Sequence, residues 1–466
     1  MRFLGNGIDY SSGRPFTSTI SREIFVDRLG LKGETVKRLT RATTFATTFR
    51  SGTEMAVGFD IRDPRKAGWT FLINGQDPRR EEVIKSVKTL AEHRGMEDPG
   101  SPLIYNGEPP EEWVDWLNAN YYWPSALENR PSPYYILILG GPDMVPFHFQ
   151  SVLDSVASVG RLEFDSPGEI EAYSEKVVRL EGAESPVVSR KAIVFAPDGG
   201  YPDATFYSHK YMARPLAGFI QERCGCQVEK IMGEEATKEN LIQATSGTNP
   251  ALVYTASHGV GATSESLSIQ HLYNGAICCQ ESGEDCYFTA KDVPAYEPFL
   301  EGSVFFQFAC FGYGTPAESD FAYWELDPSL SYKTEPFVAA LPRRMIAHPR
   351  GPLAFIGHLD VAWLHGFDDP NDPDIQELWH PRMAPFVRAA SILLEGLPVG
   401  LALVDMNKRY DLYNAKISTL LNGIKRGDVR PEDVAERLAD AFINRSDAQN
   451  YMVYGDPAAR IARMQD

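Results

Sequence analysis

Two side chains with the chemistry of a nucleophile and its proton partner follow two apolar segments of the chain. The segment Ala251–Ala256 runs into the sequence SHG, which carries His258, and the segment Ser303–Phe308 runs into ACFG, which carries Cys310. In an open parallel sheet, loops beyond the carboxyl ends of the strands converge on one cleft, and neighbouring strands lie only about 4.8 Å apart. We therefore expect Cys310 and His258 to face each other at this edge of a sheet.

A cysteine and a histidine in this arrangement suit acyl transfer at a peptide carbonyl. The attack needs thiolate character at Cys310, and the imidazole of His258 can supply it and then protonate the leaving amine. Gly259 permits a tight turn and close approach of a substrate. The backbone N–H groups of Gly259 and Cys310 could then hydrogen-bond the oxyanion of the tetrahedral intermediate. The predicted catalytic pair is Cys310 and His258, with Gly259 and Cys310 as oxyanion donors.

Taken singly, each of these residues has an ordinary structural explanation. A lone buried cysteine after a strand is usually a small core residue, and a His-Gly pair is often only a turn. Together they resemble the arrangement of caspases, in which Ala-Cys-x-Gly follows a histidine by about 50 residues. Here Cys310 follows His258 by 52 positions, although Phe308 stands where caspases carry Gln. The joint pattern favours catalysis over two unrelated structural residues.

Short apolar runs alternate with helix-period stretches along the chain, which is the pattern of a largely parallel sheet covered by helices on both faces. Helices are predicted over Arg80–His93 and Pro167–Gly182, where apolar residues recur at helical spacing. The expected fold class is α/β with a mostly parallel sheet. The predicted strands are Trp69–Asn74, Tyr134–Leu139, Lys191–Ala196, Gln227–Ile231, Ala251–Ala256, Ser303–Phe308 and Gly351–Gly357.

The length of 466 residues exceeds what one hydrophobic core usually serves, so two packed units are expected. A polar, proline-containing link over Ala183–Arg190 marks the boundary between them. We predict an N-terminal α/β unit over residues 66–186 and a larger unit that carries the chemistry and a helical C-terminal part over residues 187–466. Residues 1–65 show no clear period and are left unassigned.

Composition argues against several function classes. The formal charge of −18 opposes general binding to nucleic acid or to an anionic membrane. No signal-peptide-like apolar segment or long apolar run is present, so a cytoplasmic protein without a membrane span is expected. Six cysteines are too few for a disulfide framework. No nucleotide-binding, zinc-protease or EF-hand motif occurs, so we expect neither a metal nor a cofactor.

Beyond the Cys–His pair, the chain resembles the gingipain-type cysteine peptidases of the caspase-like clan, and it is also CHAT-like. The similar segments are a strand with its following turn, a V-G-R strand followed by a helix, the strand after the nucleophile and a terminal G-D-P sequence. They lie at Tyr134–Phe147, Val159–Leu180, Gly351–Trp363 and Val453–Ile461. The resemblance covers the chain from about residue 65 onward. It implies two caspase-like subdomains in a three-layer sandwich, with the catalytic pair on the second.

The resemblance also implies residues around the catalytic pair. Asp198 stands where the arginine-specific gingipains place an acid near the catalytic histidine, so it is expected to orient His258. The alternative is a turn aspartate before two glycines. Trp363 corresponds to a tryptophan that lines the S1 pocket, and its alternative is an ordinary core tryptophan.

One position departs from the arginine-specific pattern. Phe206 stands where those peptidases carry a pocket aspartate, so specificity for arginine is not transferred to this chain. A phenylalanine at the pocket floor favours an apolar P1 residue, because a buried cation without a counter-charge is costly. Asp203 or Asp320 supplies a charge to the pocket if the loop is shifted.

The function implied is a regulated bacterial effector that makes limited cuts in a protein partner through an acyl-enzyme. An activating protein or complex is a possible further partner. The alternative from another class is a scaffold or binding protein on the same fold with an idle Cys–His pair, because fold does not fix function. A third interpretation, acyl transfer to a small molecule, keeps the pair and changes only the acceptor.

Overall fold

The fold is taken from a computed structural model that describes residues 2–19, 60–122, 132–182, 188–281, 283, 286–322, 332–367 and 381–465. Strands alternate with helices over most of this length, as the sequence predicts. The strands are β1 (Arg2–Asp9), β2 (Pro15–Thr19), β3 (Trp69–Asn74), β4 (Leu103–Tyr105), β5 (Tyr135–Leu139), β6 (Ser158–Leu162), β7 (Val188–Ala196), β8 (Gln227–Met232), β9 (Pro250–Ala256), β10 (Gly259–Gly261), β11 (Ile277–Cys278), β12 (Tyr287–Phe288), β13 (Val304–Phe308), β14 (Gly314–Thr315), β15 (Phe337–Val338), β16 (Ala354–His358), β17 (Tyr451–Gly455) and β18 (Met464–Gln465).

The helices are mostly short, and the two longest lie near the C-terminal end of the chain. Single turns of 3₁₀ helix and one π-helical turn, Ser208–Ala213, connect several of them. The α-helices are α1 (Pro64–Ala67), α2 (Arg80–His93), α3 (Trp113–Ala119), α4 (Phe147–Asp154), α5 (Pro167–Glu181), α6 (Ala204–Tyr207), α7 (Arg214–Arg223), α8 (Lys238–Thr245), α9 (Leu267–Tyr273), α10 (Ala340–Ala347), α11 (Ala384–Leu394), α12 (Val404–Arg426) and α13 (Pro431–Gln449).

The centre of the fold is an 11-stranded sheet. Ten of its strands follow the order β18-β7-β9-β13-β16-β17-β6-β5-β3-β4, and the remaining strand, β8, also pairs with β7. Every described pairing in it is parallel except that of β16 with β17. The predicted α/β class with a mostly parallel sheet is confirmed.

Alternate residues of the central strands bury into two separate apolar clusters, one on each face of the sheet. In β5, Leu137 packs with residues of α2 and α5, whereas Ile136 and Ile138 pack with residues of α3 and α4. A strand with both faces buried must be apolar at consecutive positions, which explains the runs that the sequence shows. The sheet between two helical layers is the expected three-layer arrangement.

The sheet runs through both units that the sequence predicts. The first unit contributes β3 to β6 and the second β7 to β9, β13 and β16, and the C-terminal strand β17 pairs with β16 on one side and β6 on the other. Residues 183–187 of the predicted link lie outside the described residues. The division into two subdomains therefore stays a prediction, although a single sheet joins the two regions.

A second, five-stranded sheet has the order β12-β11-β10-β1-β2. It contains part of the segment that the sequence leaves unassigned, because residues 2–19 form the antiparallel pair β1 and β2. Strand β1 pairs in parallel with β10, directly after His258 in the chain. The N-terminal strand is thereby brought to the region where the chemistry is expected.

Within the part of the chain that the structure describes, no helix combines the length and the apolar character required to span a membrane.

Candidate active site

His258 and Cys310 lie beyond the ends of two adjacent parallel strands. Strands β9 and β13 pair so that Ala256 is opposite Phe308, and each of the two chemical residues follows its strand by the same two positions. The backbone N–H of Ser257 donates to the carbonyl of Phe308 at 3.2 Å, so the pairing continues past the strand ends. The expected convergence at the carboxyl edge of the sheet is therefore present in the backbone.

The imidazole of His258 is held by a carboxylate. Its Nε2 lies 2.8 Å from Oδ1 and 3.0 Å from Oδ2 of Asp203. Its Nδ1 is buried and has no hydrogen-bond partner among the described residues. With Nε2 directed to a carboxylate, Nδ1 is the nitrogen left to exchange a proton with a thiol or a leaving group.

The loop before α6 fixes Asp203 in place. Asp203 caps the N-terminus of α6, accepting the backbone N–H of Thr205 at 2.8 Å. Burial raises the pKa of Asp203, but hydrogen bonds from His258 and Thr205 and the charge on His258 outweigh that effect and lower the pKa to about 2. The carboxylate is thus ionised at neutral pH and can stabilise a protonated imidazole.

The prediction that Asp198 orients His258 is corrected by this geometry. The Asp198 carboxylate lies 2.9 Å from Nδ1 of His209, whose Nε2 accepts a hydrogen bond from Arg214 at 3.1 Å. Both aspartates belong to the loop between β7 and α6, and only the tertiary structure decides which of them reaches His258. Asp203, which the sequence suggests as a pocket charge, takes the orienting position instead.

The thiol of Cys310 is completely buried. A Cβ atom built on Gly7 of strand β1 would lie 2.6 Å from both Sγ and Cβ of Cys310, so the backbone of β1 lies directly against the thiol. Sγ is also 3.7 Å from the carbonyl oxygen of Ala362. Burial raises the pKa of Cys310 well above its ordinary value, so the thiol is neutral in this conformation.

The chain turns sharply after Cys310. Phe311 has a φ of +57°, a left-handed conformation that is costly for a bulky residue, and its N–H donates to the carbonyl of Asp360 at 2.7 Å. Gly312 completes the turn by donating to Ala309 at 3.3 Å. Cys310 is therefore the last residue before this tight turn, just beyond the end of β13.

The two predicted oxyanion donors face the same strand. The N–H of Cys310 donates to the carbonyl oxygen of Asn6 at 3.1 Å. The backbone groups of His258 and Val260, the neighbours of Gly259, form their hydrogen bonds on the β11 side. Because successive N–H groups of a strand point to opposite sides, the N–H of Gly259 points towards β1. The predicted oxyanion site therefore adjoins a carbonyl group of the chain's own N-terminal strand.

Strand β1 is the component of the site that the sequence analysis missed. A signal exists in the sequence L-G-N-G-I-D, because glycines at alternate positions of a strand mark a close approach by another backbone. A Cβ on Gly5 would lie 2.9 Å from Cβ of Phe16, and one on Gly7 would collide with Cys310. Both glycines permit contacts that no other residue type could make.

The predicted pocket residues have different surroundings. Trp363 is fully buried, its ring meets Phe321 edge-on at 5.3 Å, and its backbone forms an antiparallel bridge with Gly5. Phe206 lies in α6, is half-buried and meets the ring of Tyr201 edge-on, with ring centroids 5.8 Å apart. Trp363 thus borders the groove that holds β1, and its role in an S1 pocket stays a prediction.

No group of three or more His, Cys, Asp or Glu side chains that could hold a metal occurs among the described residues. A surface cavity of about 530 Å³ is lined by Arg94, Glu181 and Arg460, among others, but neither Cys310 nor His258 lines it. At Cys310, the backbone of strand β1 lies against the thiol. The candidate residues are therefore identified by their hydrogen bonds and not by an open pocket.

The fold resembles that of solved cysteine proteinases. The Arg-specific cysteine proteinase gingipain R is 12% identical, with a TM-score of 0.45, covering 85% of this chain and 78% of that one. A complex of the pro- and mature domains of gingipain RgpB from Porphyromonas gingivalis is 13% identical, with a TM-score of 0.46 and coverages of 84% and 80%. A structure described as a protease is 11% identical, with a TM-score of 0.45 and coverages of 85% and 78%. No protein-family model and no curated protein matches the chain.

Proposed function

We propose that the chain is a cysteine endopeptidase that makes limited cuts in a protein partner. Cys310 is the nucleophile, His258 transfers the proton, and Asp203 positions the imidazole. The backbone N–H groups of Cys310 and Gly259 stabilise the oxyanion. The observation that supports the proposal is the register of β9 with β13, because His258, held by Asp203, and Cys310 each follow by two positions the ends of these adjacent strands.

The reaction uses only groups of the chain, the substrate and water. Cys310 passes its proton to His258 and Sγ bonds to the scissile carbonyl carbon, giving a tetrahedral oxyanion. The C–N bond then breaks as the imidazolium protonates the leaving amine, which leaves a thioester. Water, losing a proton to His258, hydrolyses the thioester and returns the thiol. Asp203 stabilises the imidazolium in both halves of the reaction.

One observation favours the alternative of an idle scaffold, namely the complete burial of Cys310. Cys310 also belongs to the main apolar core, but one face of its side chain lies against the backbone of Gly7 in strand β1. A covered thiol needs only displacement of that strand to meet a substrate. The intact hydrogen bond between Asp203 and His258 also has no evident use in a scaffold.

The proposal is tested by digesting a proteome-derived peptide library with the purified chain and identifying new termini by mass spectrometry. We expect cleavage that is lost in Cys310→Ala and in His258→Ala. Cys224→Ala is the matched control, because Cys224 is a half-buried cysteine on α7 outside the site. Equal cleavage by wild type and Cys310→Ala, or none by any form, would favour the scaffold.

A further inference from the structure

Strand β1 crosses the site with its backbone bonded on both sides. The N–H of Asn6 donates to the carbonyl of Ala362 at 2.7 Å, and the preceding Gly5 forms an antiparallel bridge with Trp363. The carbonyl of Asn6 accepts the N–H of Cys310, and beyond it Gly7 pairs in parallel with Gly259. A peptide added as a strand beside a catalytic cysteine is held in this way. The carbonyl of Asn6 is thus hydrogen-bonded to one of the two proposed oxyanion donors.

The side chain of Asn6 fills a closed polar site. Asn6 is 1% exposed, and its Nδ2 donates to the carbonyl of Ser257 and, at 3.3 Å, to that of Phe308. Its Oδ1 is buried without a hydrogen-bond partner among the described residues. Ser257 directly precedes His258, and Phe308 lies two residues before Cys310. The site is therefore built from the same strand ends as the proposed catalytic pair.

Two carbonyl oxygens select for a hydrogen-bond donor. An aspartate at this position would direct its carboxylate at them, and unpaired buried charge of that kind is strongly disfavoured. No acidic group is described in contact with the Asn6 side chain, so an arginine or lysine would find no counter-charge there. Sites that hydrogen-bond a substrate group discriminate strongly against analogues that lack it. The site therefore suits asparagine.

We propose that residues 2–9 are seated as a substrate, that the pocket around Asn6 is an S1 pocket selective for asparagine, and that the chain cuts its own Asn6–Gly7 bond. This inference rests on the proposed function and names its substrate class. Cleavage separates the segment that ends at Asn6 from the rest of the chain and frees the groove between Trp363 and Gly259 for a peptide in trans.

The step balances without any added reagent except water. Sγ of Cys310 bonds to the carbonyl carbon of Asn6, and the C–N bond to Gly7 breaks. The thiol proton passes through His258 to the Gly7 nitrogen, which becomes a new amino terminus. Water then converts the thioester of Asn6 to a carboxylate and restores the thiol. Glycine at P1′ is required because any Cβ there would overlap Sγ.

The first experiment follows the intact mass of the full-length chain over time. We expect a product that starts at Gly7, formed at a rate independent of protein concentration, and absent in Cys310→Ala. Asn6→Asp should slow its formation at least 100-fold, and Asn118→Asp, a change at an exposed helical position, should leave it unchanged. Spontaneous deamidation of the Asn-Gly pair is distinguished because it releases ammonia from the side chain, leaves the main chain uncut and persists in Cys310→Ala.

A second variant separates seating from chemistry. Gly7→Ala introduces a Cβ that would lie 2.6 Å from Sγ, so β1 must move away from Cys310. We expect self-cleavage to fall at least 10-fold while hydrolysis of added peptides rises at least 10-fold. Gly218→Ala is the matched control, because a Cβ there meets open space on helix α7.

Added peptides identify the pocket and keep two failures apart. Peptides of the sequence FLGXGID with X as Asn, Asp, Arg or Leu are offered to Gly7→Ala, and a preference for Asn of at least 100-fold over Asp is expected. Cys310-dependent hydrolysis with equal or greater rates for Arg or Leu would overturn this inference and leave the proposed function standing. An intact wild-type chain that hydrolyses added peptides would overturn self-cleavage. The absence of Cys310-dependent cleavage in both experiments would overturn both proposals.

Discussion

Asp203 holds His258 through Nε2, at 2.8 Å, while Asp198, five residues earlier, holds His209 through Nδ1, at 2.9 Å. Both aspartates belong to the loop between β7 and α6, but only Asp203 reaches His258, which lies beyond the end of β9. Asp198 is close to Asp203 in sequence and also pairs with a histidine, so it provides an internal control for the role of Asp203.

The paired aspartates give a prediction on activity. Asp203→Asn should lower the peptide turnover of Gly7→Ala by about 10²- to 10⁴-fold, because the imidazole loses the carboxylate that fixes its tautomer and stabilises its charge. Asp198→Asn in the same background should change turnover less than about 10-fold. Steady-state kinetics on the FLGNGID peptide measures both, and the reverse ranking would return the orienting role to Asp198.

Asp360 is expected to make stability depend on pH. Burial raises its pKa to about 7, with a further contribution from Asp320, against the opposing hydrogen bonds from Ser319 and Asp320. A carboxyl group with a raised folded-state pKa contributes stability that is full below its unfolded pKa of about 4 and is lost as pH rises through about 7. Wild type should therefore lose stability between these pH values through this group.

The measurement compares urea unfolding of wild type and Asp360→Asn at pH 5 and pH 8. Relative to Asp360→Asn, the free energy of unfolding of wild type should be lower at pH 8 than at pH 5. The expected decrease is about 1.4 kcal/mol for each unit by which the folded-state pKa of Asp360 exceeds its unfolded-state pKa within this pH range. Asp405→Asn is the control, because Asp405 is on a partly exposed part of α12, where it pairs with Lys408 at 3.3 Å. Identical pH dependence in wild type and Asp360→Asn would contradict the expectation.

A buried ion network joins the N-terminal part of the sheet to the C-terminal segment. Arg94 donates to Glu181 at 2.6 and 2.8 Å and to Asp456 at 2.7 Å, and Asp456 also accepts from Trp69 at 2.9 Å. Glu181 is buried, which raises its pKa, but Arg94 and His93 outweigh this and lower the pKa to about 2. The Glu181 carboxylate is therefore charged at neutral pH and is stabilised by the guanidinium of Arg94.

Arg94→Ala should lower the free energy of unfolding by about 3–5 kcal/mol, because two buried carboxylates lose their counter-charge. Urea denaturation at pH 7 measures the change. Arg62→Ala is the surface control, since Arg62 pairs with Asp60 in solvent, and it should cost less than about 1 kcal/mol. The Glu181 contribution is present above about pH 4 and is lost as pH falls towards 2, so the Arg94→Ala deficit should shrink in acid. A loss below 1 kcal/mol at pH 7 would contradict the network's role.

The sequence by itself determined the α/β class, the strands Trp69–Asn74 and Ala251–Ala256 to within a residue, and the position of Cys310 and His258 beyond the ends of two adjacent strands. These follow from local patterns, because strands buried on both faces must be apolar throughout and reactive residues at their carboxyl ends converge. Phe206 and Asp198 were assigned to the site by their place along the chain. That place does not tell which way the residues of a loop point.

Only the tertiary structure decided that Asp203 orients His258 and that the N-terminal strand lies over Cys310. The hydrogen bond from Cys310 to Asn6 spans more than 300 residues, and short segments of weak pattern such as residues 2–9 gain their conformation from the partners that they pair with. The glycines of that strand carried a signal of close approach, but the group that approaches them is defined by the fold alone.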